Sequence, residues 1–413
     1  MKEEIQAHLT DAHQLEKLYR TNKSQFKQSF GTLYPEIKGT PIADWWNERL
    51  NYENEEISWG TGKELFWVLI GVLIAGLIAK IPAVFGIDEE YFYPRNISFI
   101  VFPVLSAYFA WKNELPKGKI AFIAGAMLAA LIFINSLPQS QTSDTLVLSC
   151  IHLLLFLWTL LGIAFVGKKD SSDLRLGFLK YNGDLVVMTT LILIAGGIMT
   201  GITIGLFSLL GLNIEEFYFK NIVVFGLPAA PIIGTYLTRT NPQLVGKVSP
   251  VIAKIFSPLV LVMLVIYLVA MVYSGKDPYN DREFLLIFNA LLVGVMAIIF
   301  FSVAETAKSE KSRWEIWVLR LLSAVTIIVN GIALSAIVFR ISEWGITPNR
   351  LAVLGGNVLI LGNLLLVTVQ LFRAGFNKDE LSGVGKAIAS YLPVYMAWVA
   401  IVTFLFPFFF GFK

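Results

Sequence analysis

Apolar residues gather into long runs along this chain, separated by short polar stretches. After residue 62, eleven runs are each long enough to cross about 30 Å of hydrocarbon once tilt is allowed. They cover 64–86, 96–111, 119–137, 144–167, 184–210, 217–238, 248–273, 283–304, 315–339, 350–372 and 386–410. Residues 1–62 read differently. They are polar, with apolar positions at helical spacing: Leu9, Leu15, Leu18 and Tyr19, then Phe26 and Phe30. Pro35 and Pro41 punctuate this segment, and Trp45 and Trp46 follow. The pattern predicts two or three short amphipathic helices there. The whole is therefore expected to be all-α: a polytopic transmembrane helical bundle of about 11 helices over 63–413, with a small N-terminal cytoplasmic helical segment over 1–62.

Composition agrees with the pattern. The chain has 413 residues, 56% hydrophobic and 15% charged, and its mean hydropathy is +0.67. Soluble domains are nearer 45–50% apolar and about 25% charged. A net charge of +3 is too small to suggest nucleic-acid binding. One cysteine, Cys150, excludes an intramolecular disulfide framework and a cysteine metal cluster. The polar, acidic start, MKEEIQAHLT, is not that of a cleaved signal peptide. Lys and Arg set the orientation. Of 33 such residues, 23 fall on one side, counting the N-terminal segment and the connections after even-numbered runs, and six on the other. Lys80, Lys220, Lys254 and Arg320 lie near run ends, where they can snorkel. The N-terminus is thus expected in the cytoplasm and the C-terminus outside.

An internal repeat is visible. GIDEEYFYPRNI at 86–97 matches GLNIEEFYFKNI at 211–222, and Pro103 and Pro228 each lie six residues beyond the shared isoleucine. Gly118-Lys119-Ile120 and Gly246-Lys247-Val248 also correspond, as do Ile151-His152-Leu153 and Phe288-Asn289-Ala290. This predicts a parallel 4+4 repeat, with repeat one over 64–167 and repeat two over 184–304. A partial third copy over 315–410 would take GITPNRL as its loop. Transporters often bind ligands between such repeats, although duplication also arises without transport.

The chemistry is sparse. No carboxylate lies deep in a run, which argues against a carrier coupled through an intramembrane acid. His152 is the one ionisable side chain well inside a run. Asn289, Asn330 and Asn357 lie in the outer halves of three successive runs, and Asn363 near the middle of one. Amides in hydrocarbon must find partners, so these point into the bundle, either as interhelical links or as the lining of a polar cavity. The outer connections add Asp88, Glu89 and Arg95, then Asp277, Asp281 and Arg282 in KDPYNDRE, then Arg340, Glu343 and Arg350 in RISEWGITPNR. Such charges are either solvated or placed to hold a polar headgroup, for which Arg has bidentate geometry. Gly197, Gly201 and Gly205 form a small-residue stripe suited to close helix approach. Pro228 and Pro231 should break or kink the sixth run. There is no Walker loop, HExxH or G-x-S-x-G, and nothing calls for a cofactor or a metal.

FGIDEEYFYPRN, IFSPLVLVMLVIYLVAMVYSGKDPYNDREFLLIFN and RISEWGITPNR resemble the bacterial polytopic membrane proteins grouped as domain of unknown function 4153. The likeness covers roughly 64–372. It implies a bacterial inner-membrane location and no catalytic residues. Three functional readings stay open. The first is a permease or binding protein for a polar or amphipathic small molecule, with an outward cavity lined by His152, Asn289, Asn330 and Asn357 and with Arg340 and Arg350 at its mouth. The second is a sensor or scaffold that engages a cytoplasmic protein partner through residues 1–62. The third is an enzyme acting on a lipid-linked substrate at the outer leaflet through Asp88 and Glu89. Membrane lipid is the common partner of all three.

Overall fold

The computed structural model describes residues 2–9, 11–21, 23–51, 60–139, 143–209, 212–246, 248–274, 279, 282–306, 313–373 and 378–412. Among them the protein is 90% helical with no strand. The chain divides into two compact units, Met1–Trp59 and Gly60–Lys413.

Among its described residues the first unit has four helices rather than two or three: α1 (Lys2–Ala7), α2 (Ala12–Thr21), α3 (Lys23–Ile37) and α4 (Pro41–Asn51). Asp11 starts α2 by accepting the backbone N–H groups of His13 and Gln14 at 3.0 and 3.1 Å. Pro35 lies inside α3 and does not end it. The apolar positions converge on one small core of Ile5, Leu15, Phe26, Phe30, Leu33, Ala43, Trp46 and Leu50. Arg49 covers the rings of Tyr19 and Trp46 and pairs with Glu16 at 2.9 Å. With Arg20 donating from one turn away, the pairing holds the Glu16 carboxyl below the usual carboxylate range.

The second unit is a helical bundle. Its elements are α5 (Gly62–Ala79), α6 (Ile81–Phe85), α7 (Glu89–Lys112), α8 (Lys117–Ser136), α9 (Asp144–Val166), α10 (Ser172–Leu209), α11 (Glu215–Tyr218), α12 (Val224–Thr240), α13 (Pro242–Gly246), α14 (Val248–Ser274), α15 (Arg282–Thr306), α16 (Arg313–Trp344), α17 (Pro348–Arg373), α18 (Lys378–Ala400) and α19 (Phe406–Phe409). A π-helical turn at Phe219–Val223 joins α11 to α12, and another at Ile401–Leu405 joins α18 to α19. Among the described residues, eight helices are long and apolar enough to cross a membrane: Gly62–Ala79, Lys117–Ser136, Asp144–Val166, Ser172–Ser208, Glu215–Thr240, Arg313–Trp344, Pro348–Arg373 and Gly383–Phe409. Shorter apolar stretches lie at Lys254–Val269 and Phe288–Ala304.

Contacts near the helix ends show the helices alternating in direction. At one end the start of α5 meets the end of α7 (Glu64 with Lys112), and Asn113 beyond α7 meets the end of α9. At the other, Lys80 meets Asn221, and Arg95 early in α7 meets the last turn of α8.

Several helices outrun their apolar cores. α7 starts at Glu89, so Arg95 belongs to a helix and not to a loop. Polar first turns hide such starts from hydropathy. α10 has 38 residues, about 57 Å of helix, and begins well before residue 184. Its later half is exposed, and nothing lies within 4 Å of a Cβ placed at Gly197, Gly201 or Gly205. The glycine stripe therefore packs against no described helix. The prolines of α12 do not break it: helical structure runs from the preceding π-turn through Pro228 and Pro231 to Thr240.

Two large apolar cores run through the bundle, with smaller clusters at Leu148, Ala352, Val402 and Phe406 and at Ala336 and Ile337. One joins α5, α7, α8 and α9 and takes Phe178 and Tyr181 from α10 and Ile232 and Tyr236 from α12. The other joins α14, α15, α16, α17 and α18 and takes Leu179 from α10. Trp158 on α9 borders both.

Candidate functional site

Three of the sequence-selected charges, Asp88, Arg95 and Arg350, serve helix ends. The last four carbonyls of any α-helix lack partners within it, and they carry the negative pole of the helix dipole. Arg95 is 3% exposed. Its Nη1 donates to the carbonyls of Ile134 and Leu137 at 2.6 and 3.2 Å, at the end of α8, while the guanidinium lies 4.5 Å from the Tyr91 ring. Arg350 Nη1 donates to the carbonyls of Trp344 and Gly345 at 2.8 and 2.7 Å, closing the end of α16. Arg320 does not snorkel. It is buried, and its Nε donates to the Leu371 carbonyl near the end of α17 at 2.8 Å. Asp88 is exposed and caps α7 by accepting the N–H of Glu90 at 3.0 Å. Glu89 is exposed in that first turn.

RISEWGITPNR is accordingly a tight helix–helix turn. Gly345, with φ 76°, ends α16 in the left-handed region, and its N–H reaches the Ile341 carbonyl at 2.9 Å. Thr347 then caps α17 by accepting the Arg350 N–H at 3.3 Å, and Pro348 takes the first helical position. The Trp344 ring has both Arg340 and Arg350 beside it, at 5.4 and 5.7 Å. Arg340 also donates to the Tyr279 carbonyl at 2.8 Å. Glu343 is exposed. Asp277 and Asp281 lie outside the described residues, as does the side chain of Arg282.

The three amides come together, but with each other. Asn357 Nδ2 donates to Asn289 Oδ1 at 2.7 Å, and Asn330 Nδ2 to the Asn357 carbonyl at 3.3 Å. They tie α15, α16 and α17 together, with Asn330 and Asn357 buried and Asn289 partly so. Asn363 donates to the Tyr395 hydroxyl at 3.2 Å. The amides do not line a cavity with His152, which sits apart on α9.

His152 does line a cavity, one of about 650 Å³ between the two cores. α9 contributes His152, Leu155, Thr159, Gly162, Ile163 and Val166. These recur at helical spacing over 14 residues, about 21 Å of one helix face. α15, α17 and α18 close the other walls with Val293, Met296, Phe300, Gly356, Ile360, Leu392 and Met396 among others. The walls are mostly aliphatic and aromatic, with Thr159 and Tyr395 between the ends, and the charged groups gather at one end.

At one end stand Lys119, Asp170 and Arg175. Arg175 holds Asp170 through two of its nitrogens, with Nε to Oδ1 at 2.7 Å, and the donation keeps the Asp170 carboxyl below the usual range. Its Nη1 reaches the Ala389 carbonyl at 3.3 Å. That carbonyl is free because Pro393, four residues on, has no N–H to offer it. Lys119 donates to the carbonyls of Gly167 and Lys168 at 2.8 and 3.3 Å, beyond the end of α9. Two cations and one anion leave this mouth net positive.

At the other end His152 Nδ1 bonds the Leu148 carbonyl at 2.9 Å. Trp398 stands nearby, packed on the cluster of Leu148, Ala352, Val402 and Phe406. A second proline operates here: Pro407 leaves the Thr403 carbonyl free, and Ser149 donates to it at 2.9 Å. The Trp398 ring lies against Gly355, where any Cβ would collide with it. Gly355→Ala should cost about 1–3 kcal/mol of stability, read as a lower melting midpoint in detergent. No protein-family model, curated protein or solved structure matches this chain.

Lys119, Asp170, Arg175 and Trp398 escape a reading by hydropathy, because each sits at an element end or passes for an ordinary interfacial residue. The one local signal is Asp170 five residues before Arg175 across a helix start.

Proposed function

We propose that this protein is a permease or binding protein for an amphipathic small molecule. The observation that carries the reading is the cavity between the two cores, apolar along its walls and cationic at one mouth. Sites of this kind form at the seams between packed units. An apolar chain would lie along α9, and an anionic headgroup would meet Lys119 and Arg175. The polar cavity built on Asn289, Asn330 and Asn357 gives way to this one. The site belongs to a bacterial inner-membrane protein with a cytoplasmic N-terminus, which puts the cationic mouth on the cytoplasmic side. We place the chain with the polytopic proteins of domain of unknown function 4153. We also keep eleven spans, adding α7, α14 and α15 to the eight, and the four-helix duplication as its evolutionary basis.

Gly356 gives the test. It lines the cavity, and a Cβ there meets nothing within 4 Å. Gly356→Trp should fill the space without moving a helix, and Gly356→Leu should fill part of it. The full chain in lipid nanodiscs, titrated with palmitate and followed by tryptophan fluorescence quenching, should show saturable binding. Gly356→Trp should weaken it by about a hundredfold, as a loss near 2.7 kcal/mol implies, and Gly356→Leu by less. Equal affinity in all three proteins sinks the reading.

The separate core of the N-terminal unit and its exposed Trp45, 78% accessible, favour a second reading as a sensor or scaffold. A chain lacking residues 1–55 should bind palmitate as before if the cavity is the working part. Enzyme action through Asp88 and Glu89 draws less support, since Asp88 is engaged as a helix cap.

A further inference from the structure

The cavity between the two cores is not closed on every side. Leu155 on α9, Val293 and Ala297 on α15 and Pro393 on α18 all line it, and all four are exposed. Val293 is 59% accessible and Leu155 40%, more surface than one wall residue among many presents to an enclosed void. Each lies near the middle of its apolar stretch, in Asp144–Val166, Phe288–Ala304 or Gly383–Phe409. An opening at that depth of a spanning helix meets hydrocarbon and not water. The packing accounts for it. α9 and α15 each pack on α17 and α18, but share hardly a contact with each other across the cavity. The cations stand at another level. Lys119 and Arg175 lie in the first turns of α8 and α10, and about 16 Å of helix separates Leu155 from the end of α9 beside them.

A closed pocket of about 650 Å³ suits one small amphiphile. A side opening removes that limit, because a second chain can stay in the bilayer. Resting on the amphiphile reading above, we infer that the occupant is an anionic two-chain phospholipid of the cytoplasmic leaflet. Its headgroup meets Lys119 and Arg175, one acyl chain lies in the cavity, and the other stays in the bilayer beside Leu155, Val293 and Ala297. The phosphate oxygens accept from both cations. A zwitterionic headgroup brings its own cation to a mouth that is already net positive, and is disfavoured by like-charge repulsion.

The test is native mass spectrometry of the full chain in detergent, with phosphatidylglycerol and phosphatidylcholine at equal concentration. One phosphatidylglycerol should be held about tenfold more tightly than phosphatidylcholine, the size of one charge-assisted contact. Lys119→Gln should bring that ratio close to one, and packing losses common to both lipids cancel in it. Val293→Phe with Ala297→Phe narrows the opening at exposed positions. It should weaken phosphatidylglycerol about tenfold and leave palmitate, which needs no side opening, within about twofold. Equal binding of the two phospholipids overturns this inference, as does a preference untouched by Lys119→Gln. Phosphatidylglycerol binding that Gly356→Trp leaves unchanged marks surface lipid only and overturns it too. Equal losses of palmitate and phosphatidylglycerol in the narrowed variant do the same. If palmitate binds and is blocked by Gly356→Trp while no phosphatidylglycerol is held, this inference falls and the amphiphile site stands. Failure of palmitate and phospholipid alike in the unaltered chain overturns the amphiphile reading, and this inference with it.

Discussion

Replacing Glu64 by alanine should destabilise the bundle by about 3 kcal/mol, the largest single effect expected in this protein. Glu64 sits in the first turn of α5, where Thr61 accepts its backbone N–H at 3.2 Å. The Thr-Gly-Lys-Glu spacing is that of a capping box, in which the glutamate turns back to the cap residue's own N–H. Here the carboxylate turns inward. Its Oε1 accepts the Tyr108 hydroxyl at 2.6 Å and Lys112 Nζ, and Lys112 also donates to Tyr108 at 2.9 Å. Gly60, at φ 59°, carries the chain over this cluster. A Cβ there would stand 3.2 Å from the Tyr236 hydroxyl and 3.3 Å from Glu64 Oε2. Alanine would strand Lys112 without its counter-charge and Tyr108 without its acceptor. Breaking a buried pair from one side costs roughly 3–5 kcal/mol. The low end applies because the Lys112 side chain is 27% exposed. Glu64→Leu with Lys112→Met should recover most of the loss, since apolar replacement of both partners is often neutral. Equilibrium unfolding in mixed micelles and the double-mutant cycle measure this. A loss under 1 kcal/mol would show the pair to be solvated.

Arg95→Ala should come second, at about 2–3 kcal/mol, because it leaves two carbonyls at the end of α8 without their buried donor. Neighbouring side chains cannot take over: Asn96 and Asn135 already bond each other reciprocally at 3.0 and 2.8 Å. Arg95→Lys should recover only part, since one ammonium lacks the forked geometry of guanidinium. Backbone amide exchange over 131–138 should speed up in Arg95→Ala. Palmitate affinity should stay within about twofold, as the residue does not line the cavity. Weakened binding with unchanged stability would restore Arg95 to a ligand-handling role.

These two sites show where sequence reading stops. Hydropathy marks the apolar middle of a helix and misses polar turns that continue it, which is why Arg95 reads as a loop residue. A capping-box spacing names the right helix start but not the direction of the glutamate, which depends on Tyr108 and Lys112, more than forty residues away. The amides illustrate the same limit. Their need for partners is legible at Asn289, Asn330 and Asn357, because an amide in hydrocarbon is costly to leave unpaired. That the partners are each other is set by the packing of α15, α16 and α17.

By itself the sequence determined that this chain is helical and membrane-spanning, because runs of apolar residues as long as a bilayer is thick admit few other structures and their backbone groups must be satisfied within each run. It also determined that buried amides would point inward. Only the tertiary structure decided what those features serve. Carbonyls released by Pro393 and Pro407 became acceptors for Arg175 and Ser149, and arginines that read as ligand-binding became caps on orphan helix ends. The cavity between the two cores could not be read from any one segment, because a void is a property of how helices from distant parts of the chain fail to meet.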